Sequence, residues 1–189
     1  MKPNLIFSGP IGSGKTTISR KIAASLGYGW NSFGATVKRI AIEHSIPVRR
    51  EDLQALGERL IADESPQFCL RVLQEAEGFP LKPVVIDGLR HAHIRSVLQE
   101  LSIPRLIVCI FVDVDDVTRF SRIQQRDALT AEKIRLLDSH STEIEVSEGI
   151  RGLADFIANN NGAASSCCAA IREWLLAKQF VDSSTAAIG

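Results

Sequence analysis

The chain has 189 residues, of which 45% are hydrophobic and 23% charged, and its 22 basic residues balance 22 acidic ones. That length and apolar content predict one globular domain with a full core. A formal net charge of zero supplies no overall field to hold a polyanion or an acidic membrane surface. With two Trp and one Tyr there is also little material for an aromatic nucleic-acid platform, so a nucleic-acid partner is not expected.

Strand-forming residues begin almost at once, around 4–8, and leave no room for a signal peptide. A helix is expected after Gly14, running to Leu26, then a strand near 28–32 and helices around 35–45, 50–61 and 66–77. Ser65 followed by Pro66 marks the start of the last of these, since a hydroxyl caps free N–H groups and proline tolerates the first turn. Strands near 83–87 and 105–113 are continuously apolar rather than alternating, as expected for central strands covered on both faces. Helices over 91–101 and 116–125, a strand near 154–158, an Asn159-Asn160-Asn161-Gly162 turn and a helix over 165–178 complete the pattern. Residues 182–189 read as a loose tail. Short apolar runs alternating with longer amphipathic ones predict an α/β fold around a parallel sheet. The longest apolar run, Leu106 to Val112, is far below membrane-spanning length. Cys69, Cys109, Cys167 and Cys168 lack metal-ligand spacing and read as free thiols, so a cytoplasmic location is expected.

Between the first strand and the first helix stands Gly9-Pro10-Ile11-Gly12-Ser13-Gly14-Lys15-Thr16, followed by Thr17. Glycines let main-chain N–H groups converge on phosphate oxygens, a lysine reaches the β and γ phosphates, and a threonine hydroxyl ligates Mg²⁺. The following helix adds its positive N-terminal end. Gly9, Gly12, Ser13, Gly14, Lys15, Thr16 and Thr17 are therefore the candidate nucleotide-binding residues, with Mg·ATP as the expected ligand.

Two further groups of residues suit phosphoryl transfer. The strand Val84-Val85-Ile86 ends in Asp87-Gly88-Leu89-Arg90, which places a carboxylate and an arginine at the edge where open α/β sheets bind ligands. Asp87 is a candidate magnesium-site residue together with Thr16, and Arg90 a candidate acceptor-binding residue. Arg119, Arg122 and Arg126 share one helical face, with Arg135 further on. Charge spread over a transferring phosphoryl group calls for cationic clamps and exclusion of water, and arginines on a closing lid supply both. Arg122 and Arg126, together with Lys15 and Asp87, are the catalytic candidates, and Arg135 an additional acceptor-binding candidate.

With these parts in order, the chain resembles the nucleoside monophosphate kinase branch of P-loop proteins, adenylate kinase-like and dephospho-coenzyme A kinase-like members included. The resemblance spans residues 3 to about 178 and rests on the glycine-rich loop, Asn31-Ser32-Phe33-Gly34-Ala35-Thr36-Val37-Lys38-Arg39, Asp87-Gly88-Leu89-Arg90, Arg122-x-x-x-Arg126-Asp127 and the Ala154 to Gly162 strand and loop. It implies a P-loop NTPase fold with a five-stranded parallel sheet of order 2-3-1-4-5, in a single domain over 1–181. Within that domain it implies an acceptor-binding helical segment about 33–78 and a short mobile lid about 127–141. It also implies acceptor contacts from Lys38 and Arg39, and a last loop beside the nucleotide base. Hydroxyl-phosphorylating members generally carry an aspartate just after the second strand, where this chain has Asn31-Ser32-Phe33-Gly34. That departure favours a small phosphorylated acceptor such as a nucleoside monophosphate, which needs positioning rather than a base. A dephospho-coenzyme A-type hydroxyl kinase with Asp87 as base, and a regulatory P-loop ATPase signalling to a partner, remain the alternatives.

Overall fold

A computed structural model describes residues 1–127 and 145–182. Five parallel strands, β1 (Asn4–Ser8), β2 (Gly29–Ser32), β3 (Val84–Asp87), β4 (Ile107–Asp113) and β5 (Phe156–Asn159), form one sheet in the order β2-β3-β1-β4-β5. Pairing sets Phe7 beside Asp87 and Ile110, and Asp113 beside Asn159. The C-terminal ends of β1, β3, β4 and β5 thus line up along one edge, as expected where the order reverses about β1.

Because successive strand residues face opposite sides, the continuous apolar runs supply two cores at once. Ile6, Val84, Ile86, Ile107, Cys109 and Phe111 face one side, packed with α2 (Phe33–Glu43), α3 (Arg50–Gln74) and α4 (Ile94–Ser102). Leu5, Phe7, Val85, Val108, Ile110 and Val112 face the other, packed with α1 (Lys15–Leu26) and the C-terminal helix α7 (Ala164–Ala177). Tyr28 stands at the margin of that second core, and burial raises its phenol to about 12.

The expected helices over 50–61 and 66–77 are both present as the two halves of α3, separated by a kink at Glu64, whose φ of −138° and ψ of 32° are not helical, immediately before Ser65-Pro66. Proline removes a donor and crowds the preceding turn, so the axis breaks there. Helix α2 starts at Phe33, two residues earlier than expected, because the Ser32 hydroxyl caps it by accepting from Ala35 N at 3.1 Å. After α5 (Asp116–Asp127) the described chain resumes in a π-helical turn, Glu145–Ile150, continued by the short α6 (Arg151–Leu153). No element was expected there, yet Val146 and Ile150 are 0% and 1% exposed in the α2–α4 core. Gly149 and Gly152 weaken helix propensity and mask the signal. All four cysteines are free, and burial pushes the Cys69 thiol up to about 12. Among the described residues no helix is long and apolar enough to cross a membrane.

Candidate functional site: a phosphate cradle at the sheet edge

The loop from Gly9 to Gly14 carries three glycines at positive φ, Gly9 at 144°, Gly12 at 84° and Gly14 at 83°. At Gly12 and Gly14 the conformation and the surroundings both demand glycine. A Cβ on Gly12 would lie 2.7 Å from Ile123 of α5, and one on Gly14 would lie 2.6 Å from Nδ2 of Asn160. Gly14 is also the N-cap of α1 and offers no side chain to the first-turn N–H groups, which are left directed at the space above the loop. Lys15 Nζ donates to the carbonyl of Pro10 at 3.2 Å, folding the lysine back over the loop.

Thr16 and Asp87 meet although they are far apart in the chain: the Thr16 hydroxyl donates to Asp87 Oδ2 at 2.6 Å. Asp87 is only 3% exposed, and its Oδ1 has no hydrogen-bond partner among the described residues. Burial raises its pKa, against the lowering effect of the Lys15 charge, the Thr16 hydrogen bond and Arg90. A buried carboxylate with one open oxygen beside a threonine hydroxyl and a backbone cradle fits a magnesium-bound triphosphate. Thr16 and Asp87 are the residues that would hold the metal.

Helix α5 covers the other side of the loop. Arg119 is 6% exposed, pairs with Asp116 at 3.1 Å, and lies with Ile123 against Gly12. Arg122 Nη2 donates to the carbonyl of Gly162 at 3.5 Å, and its buried Nη1, 3.9 Å from where a Gly14 Cβ would stand, has no partner among the described residues. Arg122 therefore stands at the cradle already, on a packed helix, whereas the sequence suggested that lid closure delivers it. The Arg126 side chain and Arg135 lie outside the described residues, as does the expected lid from 128 onward.

On the acceptor side, Gly88 and Leu89 N–H groups both donate to the carbonyl of Phe7, which fixes the turn that carries Arg90. Burial lowers the pKa of Arg90, and the charge of Arg50, at the start of α3, lowers it further. Asp87 acts in the opposite sense and raises it, so Arg90 keeps a carboxylate on one side and a second guanidinium on the other, where an anion would be favoured. Arg50 was not picked out from sequence, since an arginine at a helix start carries no signal of its own. Lys38 is exposed on α2. Arg39 is drawn elsewhere: it pairs with Glu75, the C-cap of α3, and donates to Asn31 Oδ1 at 2.9 Å.

Glu75 is the hub of that cluster, bonded also by the Thr36 hydroxyl and by Arg71 Nε at 3.0 Å. Burial pushes its carboxyl up, but the hydrogen bonds from Arg39, Thr36 and Arg71 together outweigh burial and bring it down to about 2. Asn31 Nδ2 donates to Val72 O at 2.8 Å and to Thr36 at 3.0 Å. The residues that end β2 thus tie α2 to α3, and Arg39 serves there because a glutamate one helix away satisfies its charge.

A family model described as an AAA domain matches residues 5–146, and a cytidylate kinase of Ignicoccus hospitalis is 30% identical over 133 residues, covering 68% of this chain and 67% of that protein. The chain belongs to the P-loop nucleoside monophosphate kinase-like family. Solved structures similar to this P-loop kinase include a sugar kinase from Janibacter sp. HTCC2649, with a TM-score of 0.62, 14% identity and all of both chains covered. Shikimate kinase from Acinetobacter baumannii in complex with shikimate gives a TM-score of 0.62 at 17% identity, over 95% of this chain and 96% of that one. At such identities they share the fold with this P-loop kinase, and its five-stranded order agrees with the expectation from sequence.

Proposed function

We propose that this P-loop kinase transfers the γ-phosphoryl group of ATP to a small phosphorylated acceptor of the nucleoside monophosphate class. The observation that carries the reading is the state of the residues that end β2: Asn31 is bonded into the α2–α3 cluster and Ser32 caps α2, and neither an amide nor a hydroxyl supplies a base there. An acceptor phosphate is already anionic and needs only to be held in line. Arg90, whose charge is acted on by both Asp87 and Arg50, supports that task, and Lys38 is exposed on α2. The cytidylate kinase likeness supports the same class of acceptor.

In this reading the domain spans 1–181, with residues 33–78 holding the acceptor and 127–141 closing as a lid. The main-chain N–H groups of Gly9 to Thr17 orient the triphosphate, and Lys15 follows the γ-phosphoryl group as charge develops. Thr16 and Asp87 would hold magnesium, which when bound would neutralise phosphate charge. Arg122 adds a cation fixed on α5, joined by Arg126 and Arg135 when the lid excludes water. The reaction runs in the cytoplasm. A second reading, a hydroxyl acceptor with Asp87 as base, is favoured by the raised proton affinity of that carboxyl.

Incubation with Mg·ATP and separate acceptors, read as ADP formation, tests the proposal. Stimulation by CMP or another nucleoside monophosphate, lost in Lys15→Ala, is expected. Stimulation only by dephospho-coenzyme A or polyols would transfer the assignment to the hydroxyl kinase, and turnover indifferent to every acceptor would mark a regulatory ATPase.

A further inference from the structure

Asn160 follows β5, far from the glycine-rich loop in sequence, yet it is 3% exposed and its Nδ2 donates to the carbonyl of Ser13 at 2.7 Å across a separation of 147 residues. Its own N–H donates to Asp113 O at 2.8 Å, which anchors it to the end of β4. Its Oδ1 is buried without a partner among the described residues, as is Ser13 Oγ. The orientation of the amide is chemically fixed, because a carbonyl only accepts and Asn160 must therefore present its NH₂ group.

The peptide between Ser13 and Gly14 is planar and trans, so its carbonyl and its N–H point in opposite directions. Drawing the Ser13 carbonyl toward Asn160 turns the Gly14 N–H the other way, into the cradle where phosphate oxygens must be met. Without that tether little resists rotation of the peptide plane, since Gly14 at φ 83° has no side chain to oppose it. We propose that Asn160 is a positioning residue that sets the Ser13–Gly14 peptide for triphosphate binding. The inference rests on the kinase reading above for its ligand, but on the Asn160–Ser13 contact for its content.

The test compares ATP affinity of the full chain and two variants, with acceptor KM and thermal melting measured alongside. Asn160→Ala removes the donor, and ATP binding is expected to weaken about tenfold with acceptor KM little changed. Asn160→Asp keeps the shape but faces the carbonyl with an oxygen, so it should bind ATP no better than Asn160→Ala. A contact that mattered only for packing would instead be rescued by the isosteric aspartate, and that result overturns the proposal. So does unchanged ATP affinity in Asn160→Ala, or failure of both variants to melt cooperatively, which would make Asn160 a folding residue. Wild-type protein that binds no ATP would sink the kinase reading itself, a result distinct from any of these.

Discussion

The donor end and the acceptor end of this molecule are built on different plans. At the donor end the glycine-rich loop is gripped on three sides: by Asp87 through Thr16, by Asn160 through Ser13, and by Arg119, Arg122 and Ile123 of α5. At the proposed acceptor end the polar cluster of Asn31, Thr36, Arg39, Arg71 and Glu75 joins α2 to α3. The first region fixes ligand-binding atoms directly. The second fixes two helices to each other, and in the proposed reading it would hold the acceptor side without touching the phosphate loop.

If the donor end is as interlocked as its contacts indicate, its variants should lose turnover while its acceptor KM holds. Replacing Lys15 with Ala should produce the largest effect, a fall in kcat of about a thousandfold, read in steady-state assays with the preferred acceptor. Arg122→Ala should follow at about a hundredfold in kcat. Because Arg122 stands at the cradle on a packed helix, that loss should persist in acceptor-free ATP hydrolysis; a defect seen only with acceptor present would reassign it to lid closure.

The acceptor end should respond in the opposite sense. Arg90→Ala is expected to raise acceptor KM about tenfold, with Arg50→Ala smaller, while KM for ATP stays near wild type. Equal rises in both constants would break the proposed division between the two ends.

The smallest effect belongs to the supporting cluster. Glu75→Gln removes the charge that Arg39 and Arg71 share and should lower stability by about 2 kcal/mol in denaturant titration. Since the folded-state pKa of Glu75 lies at about 2, below the 4.5 of an unperturbed glutamate, its contribution is complete above about pH 4.5 and disappears as pH falls toward 2. The difference between wild type and Glu75→Gln should therefore shrink over that acid range. A difference that stays constant from neutral pH to pH 2 would show that the carboxylate charge is not what holds α2 to α3.

Much of the fold was legible in the sequence, down to the start of the second half of α3 at Ser65-Pro66, because proline acts locally. The turn at 145–150 was not, since its buried Val146 and Ile150 stand among glycine and polar residues. Asp87 and Arg122 were legible as candidates, the first at a strand end and the second by helical spacing. Arg39 was read as an acceptor contact because its partner Glu75 lies 36 residues away, and nothing near Arg39 in the chain announces that pairing. Arg50 escaped notice for a similar reason, an arginine at a helix start explaining itself, while Asn160 was read only as part of an Asn-rich loop beside the nucleotide base, without its tie to Ser13.

By itself the sequence determined the phosphate cradle and the two-sided sheet, since backbone φ at consecutive glycines and the period of a strand are properties of adjacent residues. Only the tertiary structure decided which oxygen faces Thr16, which amide faces Ser13 and where the charge of Arg39 goes. Those contacts join segments that meet only after parallel strands have paired in a given order and register, and no local spacing encodes that meeting.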